Sequence, residues 1–173
     1  PGYAGFATAT TSVTNAGSIQ TKGSYAHGIA AYSNAYATGY TGGPTVNSGT
    51  AVAITTVTNS GAIATTGYSA YGVNATSYAL AGTYSSGTAR ATTTVISSGS
   101  IVTLGNYAIG INAASYAYSG GTATAITNVT NSGSIRTLGN NAPGIYALSV
   151  AGGFYAGGAG YLGYATTASA TTT

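Results

Sequence analysis

Very few groups in this chain can do acid–base, nucleophilic or metal chemistry. Its 173 residues include no Asp, no Glu and no Cys. The cations are Lys22, Arg90 and Arg136, and the one imidazole is His27. Catalysis by paired carboxylates has no carboxylate to use. A Ser-His-acid triad lacks its acid. Calcium sites need acidic oxygen ligands, which are missing. No Gly-rich loop follows a strand and opens a helix, so the glycines read as corner residues rather than a phosphate cradle. His27, between Ala26 and Gly28, reads as an outward-facing residue. The expectation is a protein that is not an enzyme and has no catalytic residues, no cofactor and no metal.

Charge excludes a further class. The net charge of +3 reflects missing acids rather than a basic patch. Nucleic-acid binding needs clustered Lys and Arg, and three scattered cations do not supply it. Charged residues are 2% of the chain, where about 25% is usual. That composition fits a low-charge extracellular repeat class. No apolar run approaches the roughly 20 residues of a membrane helix, and no secretory leader pattern is visible. Without cysteines, no disulfide holds the fold.

Tyrosine is the enriched group with binding chemistry: there are 16. A Tyr ring offers a flat apolar face and a polar tip, suited to sugars or to protein contacts. Tyr32, Tyr36, Tyr40, Tyr78, Tyr84, Tyr116, Tyr118 and Tyr155 fall in stretches that read as connecting loops. They are the candidate contact residues, and three uses are open: covering the protein's own wall, contacting another subunit, or binding glycan. Asn74-Ala75-Thr76 and Asn128-Val129-Thr130 match the N-glycosylation acceptor pattern, making Asn74 and Asn128 candidate modified sites. Thr8/Thr10, Thr92/Thr94 and Thr122/Thr124 form outward Thr-x-Thr pairs of the kind an ice-binding face uses. Val52, Ile54, Arg90, Ile126 and Asn128 interrupt that array.

What must position these groups is a repeat. Val129-Thr130-Asn131-Ser132-Gly133-Ser134-Ile135-Arg136-Thr137-Leu138-Gly139, followed by Ala142-Pro143-Gly144-Ile145-Tyr146-Ala147-Leu148-Ser149, is its cleanest copy. Other copies start at Val13, Val57 and Val95, at spacings of 44, 38 and 34 residues. The motif keeps its length while the connector varies, as in solenoid arrays. Within a copy the period is two, which indicates strands. The parity holding Ala123, Ala125, Thr127, Val129 and Asn131 is read as inward, because the opposite parity in the preceding copy contains Arg90. Gly133 and Gly139 mark two corners, since glycine permits turn conformations.

Each copy therefore reads as three strands, two corners and one variable loop. The fold class is all-β: a right-handed parallel β-helix with about one three-strand coil per 34–45-residue repeat. Residues 1–173 form a single β-solenoid segment whose ends lack polar caps. Stacked coils put Val13, Val57, Val95 and Val129 in one inward ladder. Ile19, Ile63, Ile101 and Ile135 form a second, and Ile29, Val73, Ile111 and Ile145 a third. Asn15, Asn59 and Asn131 stack at a corner, interrupted by Ser97. Amides in such a ladder bond each other along the axis and satisfy corner backbone.

The runs Val-x-Asn-Ser-Gly-x-Ile-x-Thr and Ala-x-Gly-Ile-x-Ala-x-Ser resemble the β-helical passenger repeats of bacterial autotransporter adhesins, over Val13 to Gly153. Two features depart from that pattern. The family carries Asp near the second corner, where this chain has Ser24, Asn106 and Asn140, and the anchoring membrane barrel is absent. The resemblance implies an extracellular or bacterial cell-surface location and a structural or adhesive role. It implies partners of two kinds: self-association into a filament (or continuation in a longer chain) and glycan.

Overall fold

A computed structural model describes residues 5–37, 49–82, 87–153 and 166–173. Tyr40, Tyr84 and Tyr155 lie outside the described residues.

The chain is an all-β right-handed parallel β-helix of three strands per coil, built from three parallel sheets. The first sheet stacks β1 (Phe6–Asn15), β4 (Thr50–Asn59), β7 (Thr88–Ser97), β10 (Thr122–Asn131) and β13 (Thr166–Thr172). The second stacks β2 (Ile19–Lys22), β5 (Ile63–Thr66), β8 (Ile101–Thr103) and β11 (Ile135–Thr137). The third stacks β3 (Ile29–Ala37), β6 (Val73–Ala81), β9 (Ile111–Ser119) and β12 (Ile145–Gly153). Among the described residues no helix is long and apolar enough to cross a membrane.

The register matches the repeat residue for residue. Val13, Val57, Val95 and Val129 pair in line, as do Ile19, Ile63, Ile101 and Ile135. Ile29, Val73, Ile111 and Ile145 form the third ladder. The inward parity read from Arg90 holds: Ala89 and Ala91 are buried and Arg90 is exposed. Burying these β-branched side chains away from water stabilises each rung, at about 25 cal/mol per Å² of apolar surface.

The interior is divided into two compartments. One is built mainly of Val and Ile, from Ile29, Val57, Ile63, Val73, Val95, Ile101, Ile111 and Val129, with Ala31, Ala75 and Ala113. The other is built wholly of Ala, including Ala35, Ala53, Ala79, Ala91, Ala117 and Ala125. Between them runs a buried partition of hydroxyls from the first and third sheets. Thr93 Oγ1 lies 2.6 Å from the Ala114 carbonyl and 3.0 Å from Ser77 Oγ. Thr127 Oγ1 lies 2.7 Å from the Leu148 carbonyl and 3.0 Å from Ser115 Oγ. In return, Ser77 donates to the Thr92 carbonyl and Ser115 to the Ile126 carbonyl. Buried hydroxyls need partners, and these find them on the facing sheet.

Candidate functional site

Five of the eight candidate tyrosines sit in strands rather than in loops. Tyr32 and Tyr36 lie in β3, Tyr78 in β6, and Tyr116 and Tyr118 in β9, all on the outward parity of the third sheet. This corrects the assignment of these residues to connectors. The third strand of each coil is nine residues long, and its inward set of small residues (Ala31, Ser33, Ala35 and Ala37 in β3) continues the period of two. That alternation turns Tyr32 and Tyr36 outward, each about half exposed.

Register then builds an aromatic face. Asn34, Tyr78, Tyr116 and Val150 share one row; Tyr36, Leu80, Tyr118 and Gly152 share the next. Ring centroids lie 5.6 Å apart for Tyr36 and Tyr78, 5.7 Å for Tyr78 and Tyr118, and 6.5 Å for Tyr78 and Tyr116. These tilted contacts are favourable arrangements for aromatic quadrupoles. Burial, joined by the neighbouring phenols Tyr36 and Tyr118, pushes the Tyr78 hydroxyl above the usual phenol range. Burial does the same to Tyr116. Tyr78 and Tyr116 therefore stay neutral across physiological pH.

A second aromatic column lies at the second corner of the coil. Tyr25, Tyr68 and Tyr107 project there, with centroids 5.8 and 5.4 Å apart. Tyr25 and Tyr107 have φ of 59° and 58°, in the left-handed region that bulky residues rarely adopt. Ser69 and Asn141 take the same conformation at this corner. A threonine closes each corner from inside: Thr21, Thr65, Thr103 and Thr137 donate to the carbonyls of Ala26, Ala70, Ala108 and Ala142, each at 2.6 Å.

His27 is half-buried rather than simply outward. Its Nδ1 accepts the Tyr71 backbone N–H at 3.0 Å, and its ring stacks on Tyr71 at 4.8 Å. Burial holds its pKa below the usual imidazole value. The Asn ladder is present but incomplete. Asn15 Nδ2 donates to Asn59 Oδ1 at 2.8 Å, and Asn59 Nδ2 reaches Ser97 Oγ only at 3.4 Å.

The two acceptor-pattern asparagines differ. Asn128 is exposed on the first sheet. Asn74 is buried; its Nδ2 donates to Tyr32 Oη, and its Oδ1 accepts from Asn112 Nδ2 at 2.8 Å. A glycan on Asn74 would have to displace the Tyr32 contact. On the first sheet's outer face, Thr92 pairs with Ile54 on one side and Ile126 on the other, and its Oγ1 is shielded without a partner.

Among the described residues no three His, Cys, Asp or Glu side chains group as a metal site. Lys22 ends β2, while Arg90 and Arg136 lie on the first and second sheets. Lys22 and Arg136 both face outward on the second sheet but at its opposite ends, in β2 and β11, and Arg90 faces outward on the first sheet. Scans against protein-family models, curated proteins and solved structures found no match to this chain.

Sequence reasoning missed three features. The left-handed conformation of Tyr25 and Tyr107 carries no signal in residue type. The His27 acceptor depends on a residue 44 positions away. The pairing of hydroxyls across the core was visible only as inward Thr and Ser on separate strands.

Proposed function

We propose that this chain is a non-catalytic structural and adhesive segment of an extracellular surface fibre, sheath or adhesin stalk, assembled by axial stacking of coils. The observation that carries the reading is the sameness of the rungs. Four coils repeat one interior in strict register, so each coil edge presents what another coil needs. The sheets end in strand edges: β1, β2 and β3 at one end, and β13, β11 and β12 at the other. Such edges favour pairing with further strands. Electron microscopy and X-ray fibre diffraction of the purified chain test it. Filaments with an axial repeat of about 4.7–4.9 Å are expected; a monodisperse particle at every concentration would refute the fibre.

The aromatic face on the third sheet supports a second reading, a glycan- or surface-binding module. Tyr36, Tyr78 and Tyr116 present neighbouring rings on an uncharged wall. Replacing all three with Ala should abolish glycan-array binding while leaving the far-ultraviolet circular dichroism unchanged. Retained binding would exclude this face.

A further inference from the structure

The side chains that usually meet an oxidant first are missing from this sequence. It has no Cys, no Met and no Trp, beside 16 Tyr. Thiol and thioether groups are ordinarily the sensitive ones. Here a one-electron oxidation ends on a phenol. What that phenol does next depends on whether another phenol is within reach.

The second corner puts three phenols within reach of one another. Tyr25 and Tyr107 occupy the left-handed position of their coils, with φ of 59° and 58°. In the coil between them Ser69 takes that position, with φ of 50°, and Tyr68 precedes it. This offset sets the middle ring between the other two. Its centroid lies 5.8 Å from that of Tyr25 and 5.4 Å from that of Tyr107, with the planes crossed at 75° and 58°. The backbone holds the spacing. Tyr25 N–H donates to the Tyr68 carbonyl at 2.9 Å, and Ser69 N–H donates to the Asn106 carbonyl at 3.0 Å. Tyr25, Tyr68 and Tyr107 are 66%, 47% and 46% exposed. An oxidant can reach each ring, and exposed side chains change rotamer in picoseconds to nanoseconds.

The third-sheet tyrosines are less open. Tyr78, Tyr116 and Tyr118 are half-buried. Burial also raises the Tyr78 phenol, which opposes the proton loss that accompanies its oxidation.

We infer that the second corner is a site of oxidative tyrosine coupling, in which Tyr68 bonds to Tyr25 or Tyr107 and staples neighbouring coils. The co-reactant is hydrogen peroxide acting through a haem peroxidase. Each of two phenols gives up one electron and its hydroxyl proton, leaving two phenoxyl radicals. The radicals join at the ring carbons beside their oxygens, forming one carbon–carbon bond. Each joined carbon then passes its proton to the adjacent oxygen, which restores both the aromatic ring and the hydroxyl. The two electrons and two protons released reduce one peroxide to two waters. The bond closes a loop one coil long, so it restricts the unfolded chain as other cross-links do. It forms within a single chain and does not require coils of different copies to stack.

The test treats the dilute full chain with a haem peroxidase and hydrogen peroxide. Dityrosine fluorescence, intact mass and melting temperature are the readouts. The wild type should gain the fluorescence at the mass of one chain less two hydrogens per bond. Its melting temperature should rise by about 5–10 °C. Cleavage after Arg90 parts Tyr68 from Tyr107, so after denaturation and trypsin some of fragment 23–90 should remain joined to fragment 91–136. Phe keeps the ring but has no phenol to oxidise. Tyr68→Phe should therefore cut the fluorescence several-fold and abolish the joined fragments. Tyr107→Phe should abolish the join and keep the Tyr25–Tyr68 fluorescence. Tyr78→Phe should change neither. A wild type without dityrosine, fluorescence that survives Tyr68→Phe, or fluorescence lost with Tyr78→Phe would overturn the assignment of this corner. Product found only at twice the chain mass would overturn the intrachain bond, and an unchanged melting temperature would overturn the staple.

Discussion

Ser97 is the one break in the Asn ladder, and repairing it should stabilise the protein. Asn15, Asn59, Ser97 and Asn131 occupy equivalent positions in successive coils. Where two asparagines adjoin, the upper Nδ2 donates to the lower Oδ1 at 2.8 Å. At Ser97 the ladder weakens twice. Asn59 Nδ2 reaches Ser97 Oγ at 3.4 Å, and Asn131 Oδ1 is buried without a partner. Ser97→Asn would supply an acceptor for the first and a donor for the second. Each buried hydrogen bond is worth about 0.5–1.5 kcal/mol net. Holding the longer side chain costs up to about 1 kcal/mol of rotamer freedom. Space is no obstacle, since Asn59 fits the same slot fully buried one coil away. The balance is a gain of about 1 kcal/mol, or roughly 2–4 °C in melting temperature for a chain of this size. Thermal unfolding followed by circular dichroism reads it. Ser97→Ala removes only the 3.4 Å contact and should be nearly neutral. In an Asn131→Ala background the gain from Ser97→Asn should fall by about half. An unchanged or lower melting temperature for Ser97→Asn, or a gain indifferent to Asn131, would refute the reasoning.

Three other perturbations follow from the same geometry. Thr93→Val keeps the shape but removes the hydroxyl linking Ser77 Oγ and the Ala114 carbonyl, so chemical denaturation should show a loss of about 1–3 kcal/mol, against almost none for Thr94→Val on the outer face. Gly105→Ala puts a Cβ 1.7 Å from the Gly67 carbonyl oxygen and should cost about 3 kcal/mol or prevent folding, read as loss of the cooperative melting transition. His27 has a folded pKa below its unfolded value, so its contribution to stability is full above the ordinary imidazole value near about 6.5 and is lost as pH falls through the lower folded value. With no carboxylate side chain in the sequence, melting temperature should fall below that pH in the wild type and stay nearly flat in His27→Phe, which keeps a ring against Tyr71 without a proton to gain.

The ladders were legible because four copies of one motif can be read against each other, and in-register stacking follows once the period of two is seen. Arg90 alone oriented the first sheet, since a charge without a partner does not enter an alanine interior. The aromatic face was misplaced for an equally definite reason. Stretches such as Tyr32-Ser33-Asn34-Ala35-Tyr36 are poor in Val and Ile and rich in residues common in loops. Their inward set is Ala and Ser, whose strand signal is weak taken alone. The same small-residue parity had already been accepted for Ala123 and Ala125, and extending it to Ala35 and Ala37 recovers β3. The left-handed corner was beyond reach. It is imposed by the Thr21, Thr65, Thr103 and Thr137 hydroxyls pulling in carbonyls five residues on, and Tyr25 is not a residue that announces it.

The interior also constrains where recognition can occur. In the alanine compartment the first and third sheets approach closely, because nothing larger than a methyl separates them. The hydroxyl partition then ties each sheet to the other's carbonyls, so the two walls form one thin, stiff slab. No ligand can enter such a core without breaking several buried hydrogen bonds at once. The slab's two outer faces carry no such duty. One has become a plane of β-branched Thr, Val and Ile, whose side chains are stiff at χ1, and the other a tilted stack of tyrosines. Inward residues change little from coil to coil, as in Val73 among isoleucines and Ser97 among asparagines, because each packs against its neighbours along the axis. Outward residues can change one coil at a time, and in this chain they do: Tyr32, Thr76, Ala114 and Leu148 share one outward row of the third sheet. Variation from coil to coil in this architecture is therefore concentrated on the outer faces, while the interior holds its register.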